Sequence, residues 1–276
     1  MIKTLLKLLL CIVVYTIVYI LANAVLPFSK ELMEANSSIN PLSSIMFLPI
    51  KSAWVCFTLY FIIRNACFGG KKLFINLIII MFFTAFTQHI DTFFIRSAFP
   101  FMAVDIITLI LSSLFPLLAA VPLLLHFFQN KGSIEKKELS VKKLILKLGI
   151  IGIIYLAIYF LFGLLIIWKI EESRMFYSSI ENNPLIIIPF QVLRGILFGI
   201  FVLPLINMVK TKKIFIISIC LVYLCLAVDL IIPNALLPAR IRIAHLIEMT
   251  SSMTLFGIIT GNILWGKKIN TSQKNI

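Results

Sequence analysis

The chain has 276 residues, of which 61% are hydrophobic and only 13% charged, with a mean hydropathy of +1.08. Soluble globular domains carry about 25% charged residues, so that class is excluded. The net charge of +14 does not point to nucleic acid, because the Lys and Arg sit in short clusters between apolar runs instead of on one basic domain or arm.

Eight apolar segments follow in chain order, at residues 8–27, 44–64, 73–94, 101–127, 146–168, 185–207, 213–232 and 242–265. Each approaches or exceeds the roughly 20 residues that a helix needs to cross a bilayer. None has the short alternating pattern of barrel strands. The expected fold is therefore all-α, a polytopic transmembrane helical bundle of eight helices. The first segment imitates a signal peptide, with Lys3 and Lys7 before it and Ala22-Asn23-Ala24 after it. It is read as a retained first span, because a matching segment lies inside the chain. Pro49, Pro116, Pro122, Pro189 and Pro204 fall within the segments, where each removes a helical hydrogen bond.

The connections divide by charge. One set holds Lys3 and Lys7, then Arg64, Lys71 and Lys72, then Lys131, Lys136, Lys137, Lys142 and Lys143, then Lys210, Lys212 and Lys213, and finally Lys267, Lys268 and Lys274. The alternate set holds Lys30, Arg96, Lys169, Arg174 and Arg240, offset by Glu31, Glu34, Glu171, Glu172 and Glu181. By the positive-inside rule both termini are expected in the cytoplasm, with the chain spanning an inner or plasma membrane. The composition, rich in Ile, Lys, Asn and Phe, fits an AT-rich bacterial source.

The chain also repeats itself. A shift of 140 residues lays Lys3, Lys7, Tyr15 and Tyr19 on Lys143, Lys147, Tyr155 and Tyr159. Tyr fills 7 of 276 positions, so each Tyr match has a chance expectation of about one in forty. Ser37-Ser38-Ile39 meets Ser178-Ser179-Ile180, Asn40-Pro41-Leu42 meets Asn183-Pro184-Leu185, Pro49 meets Pro189, and Lys71-Lys72 meets Lys212-Lys213. Four helices per copy is an even number, so the two copies are expected to be parallel, related by an axis along the membrane normal. The boundaries read as a first four-helix repeat at 1–128, a cytoplasmic linker at 129–142, a second repeat at 143–266 and a cytoplasmic tail at 267–276.

Ionisable and amide side chains inside a bilayer are costly and mark candidate sites. Here they are Lys51, Gln88, His89, Asp91, Asp105, Gln191, Arg194, Asp229, Arg242, His245 and Glu248. Asp229 stands 16 residues after Lys213, about 24 Å along a helix, and the whole set is expected in the outer half of the membrane. At an offset of 141 Gln88 aligns with Asp229, Lys51 and Arg194 share equivalent helices, and Asp105 falls near the register of His245. Arg242, His245 and Glu248 stand three apart, a spacing that draws one drifting stripe on a helix, which Ser252 extends. Arg194 is expected to pair with Asp229, Asp105 or Glu248, or to reach a polar ligand.

These residues admit three readings: binding or transport of a small polar or charged solute, with proton coupling through His245, Glu248 and Asp229; an intramembrane enzyme acting on a lipid or exported substrate, with His245 and Glu248 as an acid–base pair; or a non-catalytic membrane subunit or immunity-type protein. The expected partners are the lipid bilayer and a small polar solute or lipid. No cofactor is expected, and no metal, since no spacing here matches a zinc signature. Cys11, Cys56, Cys67, Cys220 and Cys225 form no CxxC pair. No Walker A, GxSxG or dinucleotide fingerprint is present.

Overall fold

A computed structural model describes residues 2–95, 103–129, 140–178, 184–234 and 237–265. These residues are almost wholly helical, and no strand occurs among them beyond one isolated bridge. Most of the predicted linker and all of the predicted tail lie outside the described residues.

The first half of the chain runs α1 (Ile2–Val25), α2 (Lys30–Ser37), α3 (Pro41–Arg64), α4 (Gly70–Ile95) and α5 (Ala103–Phe128). The second runs α6 (Val141–Leu165), α7 (Glu171–Ser178), α8 (Pro184–Phe201), α9 (Leu205–Met208), α10 (Lys212–Val228) and α11 (Ala239–Leu264). Eight of the helices are long and apolar enough to cross a membrane. The protein is thus a multi-pass membrane protein whose surface meets lipid. The exposed Leu5, Leu6, Leu9, Leu164, Leu185 and Ile247 are what a hydrocarbon solvent allows.

Local chemistry explains the boundaries. Asn40 caps α3, its side chain accepting from the Leu42 amide at 3.0 Å, with Pro41 at the first helical position, where its missing N–H leaves nothing unpaired. The segment predicted at 185–207 is broken: α8 stops at Phe201, a turn passes through Pro204, and α9 completes the span. The segment predicted at 213–232 leaves α-helical geometry at Asp229, where a 3-10 turn, Asp229–Ile231, takes over. Pro116 and Pro122 stay inside α5. The short α2 and α7 occupy stretches that were expected as connections. Ser29 caps α2, and Glu171 and Glu172 at the start of α7 complement its dipole.

Within the first half α5 packs on α1 and α4, and α1 on α3. Within the second α6 packs on α8 and α11, and α10 on α11. Between halves the contacts cross over: α3 lies on α10, α4 lies on α8, and α4 meets α10. At one end an antiparallel bridge joins Ala66, after α3, to Val209, after α9, and the Cys67 amide donates to the Met208 carbonyl at 2.7 Å.

Glycines set the close approaches, as expected where lipid offers helices no hydrophobic drive to associate. A Cβ on Gly195 of α8 would lie 2.4 Å from Tyr155 Cβ, and one on Gly261 of α11 would lie 2.7 Å from Ile216 Cγ1. Gly163 has open space instead. Gly195→Leu and Gly261→Leu should each destabilise the protein by about 2–3 kcal/mol through overpacking. Gly163→Leu should stay within about 0.5 kcal/mol. Equilibrium unfolding in mixed detergent micelles measures all three.

Candidate functional site

Two clusters of polar side chains occur within the bundle. The first lies where the halves meet. Lys51, on α3, places Nζ 2.7 Å from Asp229 Oδ1 at the end of α10, and 4.2 Å from the ring centre of Tyr19 on α1. Lys51 is buried, whereas the Asp229 side chain is 41% exposed. Arg194, on α8, makes the reciprocal crossing to α4: Nη2 donates to Gln88 Oε1 at 2.5 Å and Nε to the Thr87 carbonyl at 3.3 Å. Its Nη1 donates to Gln191 Oε1 at 3.3 Å, one turn back on α8, and the guanidinium lies 5.8 Å from the Tyr155 ring centre on α6. His89, next to Gln88, interacts electrostatically with Asp229, Lys51 and Arg194. These three hydrogen bonds of Arg194 go to amide and carbonyl oxygens.

Delocalised and planar, a guanidinium is the cation best able to fill its donors on such oxygens and lie near an aromatic face. Lys51 is a point charge, and it meets a full negative charge instead. The two cations therefore differ in kind: one pair is ionic, the other is a charge-assisted hydrogen-bond cluster.

The second cluster hangs on α11. His245 Nδ1 lies 3.5 Å from Glu248 Oε2, one turn on, and Ser252 Oγ donates to Glu248 Oε1 at 3.3 Å. On the other side of the ring, His245 Nε2 is 2.5 Å from Tyr177 Oη of α7. Tyr177 is the functional candidate that the sequence reading omitted. It sits in the polar stretch Glu171–Ser178, which reads as a connection until its amphipathic spacing of Ser173 and Tyr177 is noticed. With Glu248 ionised, the consistent tautomer has Nδ1–H facing the carboxylate and Nε2 accepting from the phenol. An exposed ion pair between Glu172 and Arg240 also ties α7 to α11. The Glu172 carboxyl is held below its usual range by its backbone hydrogen bond and by Arg240.

The clusters approach each other. Gln88 Nε2 lies 3.9 Å from the sulfur of Met249, the residue after Glu248.

Two of the sequence candidates go elsewhere. Asp105, fully buried in α5, accepts from the Ser29 amide and the Ser29 hydroxyl, both at 2.7 Å, and so fixes the start of α2. Arg242 leaves the stripe and donates to the Leu230 and Ile231 carbonyls at 3.3 and 2.9 Å, beside the 3-10 turn that carries Asp229. Asp91 falls in α4, with its side chain outside those described.

Among the clefts of the described residues, one of about 600 Å³ lies at Gly70, Lys71 and His126 and another of about 480 Å³ at Phe28, Met33 and Asn234, and none of the candidate residues lines either of these. Among the described residues no group of three or more His, Cys, Asp or Glu side chains is placed to hold a metal ion. Comparison with protein-family models, with curated proteins and with solved structures gives no match.

Asp105→Ala should destabilise the protein by about 3 kcal/mol, since it strands a buried amide and hydroxyl. It should also raise hydrogen exchange across residues 29–37. Arg242→Ala, which frees only two carbonyls near the surface, should cost about 1 kcal/mol and leave exchange in that segment unchanged. Exchange mass spectrometry on the purified protein separates the two.

Proposed function

We propose that this protein is a membrane carrier for a small polar or charged solute, built from two parallel four-helix repeats, with both termini in the cytoplasm. The observation that carries the reading is the pair of crossed contacts, Lys51 to Asp229 and Arg194 to Gln88. In the sequence Gln88 aligns with Asp229 at an offset of 141, and Lys51 and Arg194 lie in equivalent helices at a slightly different offset, so the two contacts join equivalent pairs of helices, which supports descent from one ancestral contact.

Further support comes from the rest of the fold. A long helix, a short one and three membrane-length spans occur in the same order twice, the second span of the second half being divided between α8 and α9. The cross-contacts exchange in the same way, α3 on α10 and α4 on α8. The bridge Ala66–Val209 joins equivalent connections, and Tyr15 and Tyr155, equivalent at 140, are both buried.

A charge network on the seam between two repeats is where transporters of this construction bind their solute. A buried ion pair is a poor device for stability, because apolar residues of similar volume do as well or better. Its presence in a membrane interior favours a working role. With Lys51 held by Asp229 and Arg194 by Gln88, Gln191 and the Thr87 carbonyl, the network reads as a closed arrangement in which protein groups occupy one another's ligand positions. Solute would enter by replacing them, with Asp229, the more exposed partner, as the first point of contact. His245, Glu248 and Asp229 supply groups for proton coupling.

A second reading is favoured by one observation: both ring nitrogens of His245 are engaged, by Tyr177 and by Glu248. That arrangement is an oriented acid–base pair, and it supports an enzyme acting on a lipid or exported substrate.

Lys51→Met should destabilise the protein by about 2 kcal/mol, less than the 3–5 of a fully buried pair because the Asp229 side chain is 41% exposed. The double variant Lys51→Met, Asp229→Leu should recover folding to within about 1 kcal/mol of the parent. Yet it should lose the ligand-induced thermal shift seen across a panel of small ionic solutes. A double variant that keeps the solute shift removes the carrier reading. His245→Ala and Glu248→Gln, assayed for lipid or ester turnover, address the second reading independently.

A further inference from the structure

We propose that Tyr177 is the nucleophile of an acid–base site in which His245 takes its proton and Glu248 orients the imidazole, and that the site takes an ester group of a membrane-borne amphiphile. The inference rests on the enzymatic reading of His245 and Glu248 and adds the reacting atom and the substrate class. Its first support is geometric. Oη is 2.5 Å from Nε2, and Nδ1 is 3.5 Å from the carboxylate. A nucleophile within reach of a base, and a base held by a third group, is the arrangement that activates a weak nucleophile.

The second support is a contrast between the halves. Asp105 and His245 lie at equivalent places, 140 apart, and each ties its own short helix to the bundle. Asp105 does so through two hydrogen bonds to Ser29, wholly buried. That is an effective tether. In the second half the same position holds an imidazole with its side chain 20% exposed, backed by a carboxylate and facing a phenol. Tethering needs none of this. In addition, the hydroxyl of Ser173 is fully buried and without a hydrogen-bond partner in the described structure. It stands one turn before Tyr177 on the same side of α7, an unused donor for the oxygen of a reacting carbonyl.

The substrate class follows from the surroundings. The 3-10 turn Ile167–Lys169 packs against α7 and α11, the elements that carry the site, and Trp168 in that turn and Met175 on α7 are exposed apolar side chains of these elements. A molecule that reaches Tyr177 across this rim carries an apolar part, lodged in the bilayer, and a polar head. Oη attacks the ester carbonyl, forming a C–O bond while the phenolic proton passes to Nε2. The bond to the alcohol breaks, and that alcohol leaves with the proton from Nε2. Water, giving a proton to the same Nε2, then attacks the acyl carbon, the bond to Oη breaks, Oη takes the proton back from Nε2, and the acid is released.

The test uses the full chain in lipid nanodiscs with two sulfonyl fluorides, one bearing a hexadecyl chain and one a benzyl group. Each reports the nucleophile directly: an Oη–S bond forms, S–F breaks, fluoride leaves and His245 takes the proton. Tyr177 should be the tyrosine modified, by intact mass and peptide mapping. The long-chain probe should react at least about ten-fold faster than the benzyl one, and His245→Ala should slow labelling at least about ten-fold. Labelling absent from Tyr177, or as fast in His245→Ala as in the parent, overturns the proposal. Equal rates for the two probes overturn the amphiphile assignment. Hydrolysis of umbelliferyl palmitate separates the two levels: turnover kept in Tyr177→Phe but lost in His245→Ala rejects Tyr177 while leaving the acid–base pair in place. Far-UV circular dichroism and melting of each variant confirm that it is folded.

Discussion

The contact on which this structure turns is Lys51 with Asp229, a full charge pair made between helices far apart in sequence inside a bundle that faces lipid. Lys51, the buried partner, is costly there without its counter-charge, so α3 gains by settling against the end of α10. The pair therefore sets how α3 and α10 align, and that alignment brings α4 against α8, where Arg194 finds Gln88 and the Thr87 carbonyl. Leucine and isoleucine packing fills the space around these contacts but discriminates poorly between registers. The charges specify the register.

Helix approach is governed by the opposite kind of residue. Gly195 lets α8 lie against Tyr155, and Gly257 and Gly261 let α11 lie on Cys220 and Ile216 of α10. Close backbones bring the long polar side chains within reach of one another. The aromatic block of Tyr155, Phe198, Tyr223 and Phe256 then closes the second half, with Tyr223 and Phe256 stacked 5.3 Å apart and the Tyr223 hydroxyl donating to the Phe198 carbonyl. Every donor there has to be satisfied from within, because lipid offers no partner.

Much of the fold was legible in the residues. Spans, their number and their approximate ends follow from apolar length alone, because hydrocarbon rejects unpaired backbone. The break at Pro204 and the 3-10 turn at Asp229 were not legible, since hydropathy does not distinguish a continuous helix from one interrupted while still apolar. The candidates were legible as a set, because charge in an apolar run is conspicuous; their pairings were not. Asp105 and His245 look alike in sequence as polar groups early in a helix, and only their partners, Ser29 and Tyr177, reveal that they do different things. Tyr177 escaped because it lies in a polar stretch, where a tyrosine attracts no notice, and because its partner is 68 residues away.

The link between Ala66 and Val209 has a mechanical consequence. A hydrogen-bonded clip at one extremity of two rods opposes their sliding past each other lengthwise, while by itself it offers little resistance to a hinge about that end. Displacement then grows with distance from that fulcrum, so residues near the far ends, where α2 and α7 lie, travel most for the least rupture of packing.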